Sequence, residues 1–202
     1  MAEIKTIVCL ANSWKHHEAC IAGIELTRRG AADWVRPVSA RKGHGVSAAE
    51  QALADGTDPQ VLDIITIGFL DYAPTGFQVE NWLLDPQYQW ERTDRITHAD
   101  ATALVDMPAT LWTVGHSTQM GENDCVPAGE LENIDNSIML VAVQHATAVV
   151  EVNPWDGKTQ VRLAFDYNRT HYAFRVTDPE YHGRHEKLGI GRFALSAQTL
   201  VT

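Results

Sequence analysis

The clearest structural pattern in the chain lies in residues 4–39, IKTIVCLANSWKHHEACIAGIELTRRGAADWVRPVS. Its first eight residues alternate between two faces and have the β-branched composition of a strand. The polar residues 12–17 interrupt this pattern, and the small apolar residues 19–24 resume it. A turn at 28–30 leads to a third apolar segment, 34–39. The stretch therefore predicts three strands joined by a loop and a turn, with polar and basic groups in the connections, where binding sites tend to lie.

The rest of the chain continues as short strands with two helical inserts. Ser47 and Glu50 have capping-box spacing and predict a helix to about Ala54, and Thr97 predicts another to about Val105. Long polar loops are predicted at 113–132 and 182–191. The further predicted strands are 61–67, 77–84, 137–143, 146–152, 160–167, 171–177 and 192–201. Nine or ten strands without a βαβ rhythm predict an all-β protein with short helical inserts.

The bulk composition is that of an ordinary globular protein. The 202 residues are 45% hydrophobic and 21% charged, and this length suits one large or two small domains. No apolar run approaches a membrane span, and the N-terminus has no secretory signal pattern. Three cysteines are an odd number, which argues against a disulfide framework and predicts a cytoplasmic location.

The charge is unevenly distributed along the chain. The net charge is −10, which disfavours a generic nucleic-acid binder because phosphate contacts supply most non-specific affinity. Residues 1–60 are neutral, with seven Lys and Arg against seven Asp and Glu, so residues 61–202 carry the whole −10. Between residues 28 and 42, five basic side chains are opposed only by Asp33. They form either a local basic face or a solvated hairpin edge protected from pairing.

Catalytic and metal-binding motifs are absent from the sequence. Residues 115–119 begin like a nucleophile elbow but lack its second glycine. There is no Walker A sequence, no CxxC pair and no HExxH motif. The sequence therefore predicts no catalytic residue, no cofactor and no metal, and it favours a non-enzymatic protein while leaving an unrecognised enzyme type open.

Several short pieces in a fixed order resemble the bacterial dual OB-containing domain family, in which two OB-like barrels are joined. The pieces include residues 10–15 (LANSWK), 20–24 (CIAGI), 34–39 (WVRPVS), 78–82 (QVENW), 121–124 (GEND) and 167–179. Cys125 departs from the basic residue expected after the last acid of GEND. The resemblance implies two small OB-like β-barrels, which we place at residues 1–106 and 107–202. It also implies nucleic-acid binding as an accessory part of bacterial DNA-processing or defence systems.

OB barrels bind single strands with stacking aromatic rings beside a cationic groove, and the first half contains both residue types. The predicted nucleic-acid-binding residues are Trp14, Lys15, Arg28, Arg36, Arg41 and Lys42. Trp14 is expected to stack on a base, and Lys15 and Arg36 to contact the backbone. Trp34 and Trp82 fit either stacking or the core of a small β-barrel. The alternative function is a structural adaptor that docks a protein partner, an enzyme for example, through the acidic second half.

Overall fold

The computed structural model describes residues 3–15, 18–195 and 198–202. Proximity of Cα atoms divides the chain into two compact units. The first unit contains Met1–Val105, Asp135–Met139 and Thr202, and the second contains Asp106–Ile134 and Leu140–Val201. We propose these units as the two predicted domains, with Asp135–Met139 completing the first. No helix in the described part of the chain is long and apolar enough to cross a membrane.

The first unit is built on a closed β-barrel. Its elements are β1 (Glu3–Lys15), β2 (Glu18–Thr27), β3 (Gly30–Val38), α1 (Ala48–Gln51), β4 (Asp63–Tyr72), β5 (Asn81–Leu84), β6 (Glu91–Arg95) and α2 (His98–Ala101). The sheet order is β1-β2-β3-β5-β4-β6, and β1 also pairs with β4. That additional pairing closes five strands into a barrel, the strand number of an OB fold. β3 and β5 run parallel, and the other pairs are antiparallel.

β1 can pair with two neighbours because it is long and bent. Its register shifts between Cys9 and Ala11 on the β2 side, and such a bulge bends a strand. Gly23 of β2 faces this bend, where a Cβ atom would lie 2.0 Å from the carbonyl oxygen of Val8. Only glycine allows the two backbones to approach this closely. The small-residue run predicted as a strand thus makes barrel closure possible.

The barrel interior is filled by alternate side chains of its strands. Ile7, Ile21, Ile65 and Phe69 are fully buried in one hydrophobic cluster. Trp90, from the segment before β6, belongs to the same cluster. Burial of such large apolar side chains contributes about 1.5–3 kcal/mol each, so this cluster is the main stabilising feature of the first unit.

The second unit is a separate antiparallel sheet. Its elements are β7 (Val141–Val152), β8 (Thr159–Tyr167), β9 (Thr170–Arg175), α3 (Pro179–Glu186), β10 (Gly191–Ala194) and β11 (Gln198–Val201). β8 is central between β7 and β9, and β10 and β11 both pair with β7. Phe165 stacks on Tyr172 with ring centroids 5.7 Å apart. The Tyr172 hydroxyl accepts a hydrogen bond from the Leu111 backbone at 3.3 Å, which ties the long loop to this sheet.

The all-β class with short helices is confirmed, and both predicted helix starts have a capping box. Several local predictions are wrong. The polar residues from position 12 were predicted to interrupt the first strand, but β1 continues to Lys15. Residues 182–191 were predicted to be a loop, but α3 occupies 182–186 because Asp178 caps it and Pro179 starts it. Residues 87–95 were not predicted as a strand, yet they contain β6, whose residues are all exposed. The strands predicted at 137–143 and 146–152 are one strand, β7, with a bulge between Gln144 and Thr147.

Candidate functional site

A pocket of about 470 Å³ opens in the first unit where β2 ends and β3 begins. Every barrel strand contributes a side chain to it, as do the β4–β5 loop and Asp135–Met139. This volume lies within the range of about 300–1,000 Å³ found for ligand pockets. We call it the mouth pocket. Its lining includes Lys5, Glu25, Asp33, Trp34, Tyr72, Glu80 and Trp82.

Lys5 forms the inner wall of the mouth pocket. It shares its side of β1 with the core residues Ile7 and Cys9, and it is buried. Its ammonium lies 3.9 Å from the centroid of the Trp82 ring, a cation–π geometry. Glu3 and Glu25 bind the same ammonium at 2.7 and 3.0 Å. Burial lowers the pKa of Lys5, but the hydrogen bonds and charges of these two carboxylates outweigh it, and the pKa is raised.

The two tryptophans that the sequence left undecided have different surroundings. Trp82 packs against the core cluster, with Phe69 at 5.9 Å and Tyr72 at 5.1 Å between ring centroids. The Trp82 ring therefore packs mainly against other side chains of the protein. Trp34 is half-buried, lines the mouth pocket and does not belong to the core cluster. Trp34 and the exposed Tyr72 are the aromatic surfaces that a ligand can reach.

Arg36 is committed to an ion pair beside the mouth pocket. Its Nη2 atom lies 2.8 Å from Glu80 Oε1 and donates to Ser137 Oγ at 2.8 Å. The Ser137 hydroxyl also donates to Glu80 Oε1. Desolvation lowers the pKa of Arg36, and the negative charge of Glu80, which acts to raise it, does not fully offset this effect. This cluster of three side chains fastens the β4–β5 loop and Asp135–Met139 to β3, so Arg36 positions the pocket wall.

Glu80 keeps one polar atom unused within this cluster. Its side chain is only 3% exposed. Its second oxygen, Oε2, is buried and has no hydrogen-bond partner among the described residues. An unpartnered buried acceptor of this kind costs free energy unless a ligand or a water satisfies it. Glu80 therefore carries an unsatisfied hydrogen-bond acceptor within the wall of the mouth pocket.

The other predicted binding residues lie at opposite ends of the barrel. Arg28 is exposed at the β2–β3 turn, the end that holds the mouth pocket. Trp14, 47% exposed, pairs with Ala19 at the far end, and Ala19 in turn bridges to Val46 after the Arg41–Lys42 loop. The structure therefore does not gather all six predicted residues into one site.

The predicted basic residues at the far end of the barrel differ in their contacts. Arg41 lies 2.9 Å from Glu18 and 3.1 Å from Glu50, so it braces its own loop. Lys42 is exposed. Lys15 belongs to β1 by its backbone, but its side chain lies outside what the structure describes.

Sequence reasoning missed Lys5 and Tyr72. The signal for Lys5 was present, because this charged residue lies on the side of β1 that buries Ile7 and Cys9. Tyr72 has no such signal, because it lies beside Trp82 only once β4 and β5 pair. Among the described residues, no three His, Cys, Asp or Glu side chains are arranged to hold a metal ion.

The family comparison covers nearly the whole chain. The family model described as "Dual OB-containing domain" matches residues 5–202. Comparison with curated proteins and with solved structures finds no match. The matched range includes both units, and the closed barrel of the first has the strand number of an OB fold. The chain therefore belongs to the dual OB-containing domain family.

Proposed function

We propose that this protein is a non-enzymatic module that binds single-stranded nucleic acid through the barrel of its first unit. The observation that carries this proposal is a closed five-stranded barrel whose mouth pocket combines accessible aromatic rings with nearby exposed arginines. OB barrels bind single strands by this combination of stacking and cationic contacts.

The chemistry of the mouth pocket favours a base over a phosphate. Its lining has three carboxylates, Glu25, Asp33 and Glu80, against the single ammonium of Lys5. A phosphate is repelled by such a lining, whereas a neutral base stacks on Trp34 or Tyr72. The Glu80 Oε2 atom is an acceptor for a base amino group, the pairing that carboxylates make with cytosine.

We expect the phosphates of the bound strand to contact the rim of the mouth pocket. Arg28 and Arg29 are exposed at the β2–β3 turn, and neither forms an ion pair with a residue that the structure describes. Arg36 and Arg41 must first give up their carboxylate partners before they can contact a phosphate. At the far end of the barrel, Trp14 supplies a further stacking ring and Lys42 a further charge for a longer strand, and the predicted phosphate contact of Lys15 lies outside the described side chains.

The proposal also includes a cellular role for the protein. The family resemblance supports an accessory part of a bacterial DNA-processing or defence system, working in the cytoplasm beside a partner enzyme. The rival function is an adaptor that docks a protein through residues 61–202, which carry the whole net charge of −10.

The test is the affinity for a short labelled single strand, measured at two salt concentrations. We expect binding that weakens as salt rises, and Arg28→Gln should flatten the slope by roughly 0.7 log units per log unit of salt. Arg169→Gln is the matched control, because Arg169 is an exposed arginine in a turn of the second unit. Wild-type protein that shows no measurable affinity at low salt would decide for the adaptor.

A further inference from the structure

The second unit has its own pocket, of about 600 Å³. It lies between the long loop after Leu111, the β7–β8 turn and the strands β8 and β9. We call it the second-unit pocket. The side chains that matter for its chemistry are Trp112, Thr113, Asp124, Trp155, Gln160, Arg162, Phe174 and Arg175.

The floor of the second-unit pocket is polar and rigidly held. Arg162 and Asp124 have side chains only 8% and 7% exposed and lie 3.2 Å apart. Arg162 also donates to the Ala173 carbonyl at 3.3 Å, and its Nε atom lies 3.3 Å from Glu151. Gln160 donates to Glu151 at 3.1 Å. The floor therefore presents both donor and acceptor groups in fixed positions.

The loop that forms the wall is tied to this floor. Asp124 accepts hydrogen bonds from the backbone and the hydroxyl of Thr118, at 2.7 and 2.6 Å. Asn123 donates to the His171 carbonyl at 2.8 Å, and Glu122 forms a β-bridge with Ala173. Although it contains no strand, this loop is fixed at several points, and the pocket is largely preformed.

The remaining lining suits a flat ligand. Trp155 is 62% exposed in the β7–β8 turn, and its ring lines the pocket. Trp112 and Phe174 supply further apolar surface. The Thr113 hydroxyl oxygen is buried and has no hydrogen-bond partner among the described residues. Arg175 is exposed and also lines the pocket.

We propose that the second-unit pocket is a second nucleobase-binding site, so that each unit of the chain holds a base. Asp124 and Glu151 neutralise Arg162, which disfavours a bare phosphate in the floor, and Arg162 disfavours a free cation. A nucleobase is neutral and has donor and acceptor edges, so it can hydrogen-bond to the guanidinium and to the carboxylates of the floor. Its ring stacks on Trp155, and the attached phosphate contacts Arg175. This inference rests on the proposed function, because the ligand class is that of the first unit.

The test is a titration of the full chain with a dinucleotide, followed through the indole N–H signals of its six tryptophans. Signals are assigned by single Trp→Phe substitutions. We expect the Trp155 signal to shift, and Trp155→Ala to weaken binding at this site about five- to 150-fold. Arg175→Gln should weaken the same site, whereas the exposed Arg169→Gln should not.

The residue-level readout separates this inference from the proposed function. If the Trp34 signal shifts and the Trp155 signal does not, the second site is wrong and the proposed function survives. If only the Trp155 signal shifts, the second site is supported and the assignment to the first unit is wrong. If neither moves at low salt, both proposals are wrong.

Discussion

Each unit holds an arginine in ion pairs beside its pocket, and the two arginines are held differently. Arg36 in the first unit meets one carboxylate, Glu80, and shares it with the Ser137 hydroxyl. Arg162 in the second unit lies between two carboxylates, Asp124 and Glu151. In both cases the guanidinium joins a strand to a loop that forms the pocket wall. An ion-paired arginine here positions a binding surface, whereas the exposed arginines at the rims are available to contact a ligand.

The largest expected effect comes from Arg162→Ala. This change leaves Asp124 buried without its cation and removes the ion pair of Glu151, and breaking a buried pair costs about 3–5 kcal/mol. We expect the upper end of that range, measured as the loss of unfolding free energy in urea. Limited proteolysis should also cut between residues 115 and 132 faster than in the wild type, because the loop loses one of its attachments to the sheet. Arg184→Ala, which breaks an exposed helix ion pair with Glu180, is the control and should leave the protein intact to protease.

A smaller loss is expected from Arg36→Ala. Glu80 loses its cation but keeps the hydrogen bond from Ser137, so we expect the lower end of the same range, about 3 kcal/mol. Ser137→Ala keeps the ion pair and should cost only about 1 kcal/mol. Equal losses of unfolding free energy in the two variants would show that the Arg36–Glu80 ion pair does not hold the wall of the mouth pocket in place. A flattened salt dependence in Arg36→Ala would instead favour the direct phosphate contact predicted from sequence.

The smallest effect is the pH dependence of the second unit. Burial raises the pKa of Asp124, but hydrogen bonds from Thr118 and the charge of Arg162 outweigh it and lower the pKa below 3.8. A lowered folded-state pKa stabilises the fold above the unfolded value, and this contribution is lost as the pH falls through the folded value. Unfolding free energy should therefore fall below about pH 4, and the fall should be shallower in Asp124→Asn. If unfolding free energy falls equally with pH in the wild type and in Asp124→Asn, the lowered pKa of Asp124 does not contribute to stability.

Local sequence patterns predict the β class and much of the first unit's secondary structure. Alternation in residues 4–11 and 34–39 predicted parts of β1 and β3, because apolar faces must be buried on one side of a strand. Ser47 and Glu50 predicted the start of α1, since a capping box is a local interaction. The ordered short pieces predicted the family. All of these signals lie within a few residues of the structure they specify.

β6, α3 and the two pockets could not be predicted from local sequence patterns. β6 has no buried residue and exists because β4 offers it an edge to pair with. α3 has few apolar residues, and Asp178-Pro179 marks the end of a strand as readily as the start of a helix. Arg36 finds Ser137 at a separation of 101 residues, and Lys5 meets Trp82 only after the barrel closes. No local pattern contains such pairs, because chain closure and long-range packing bring their members together.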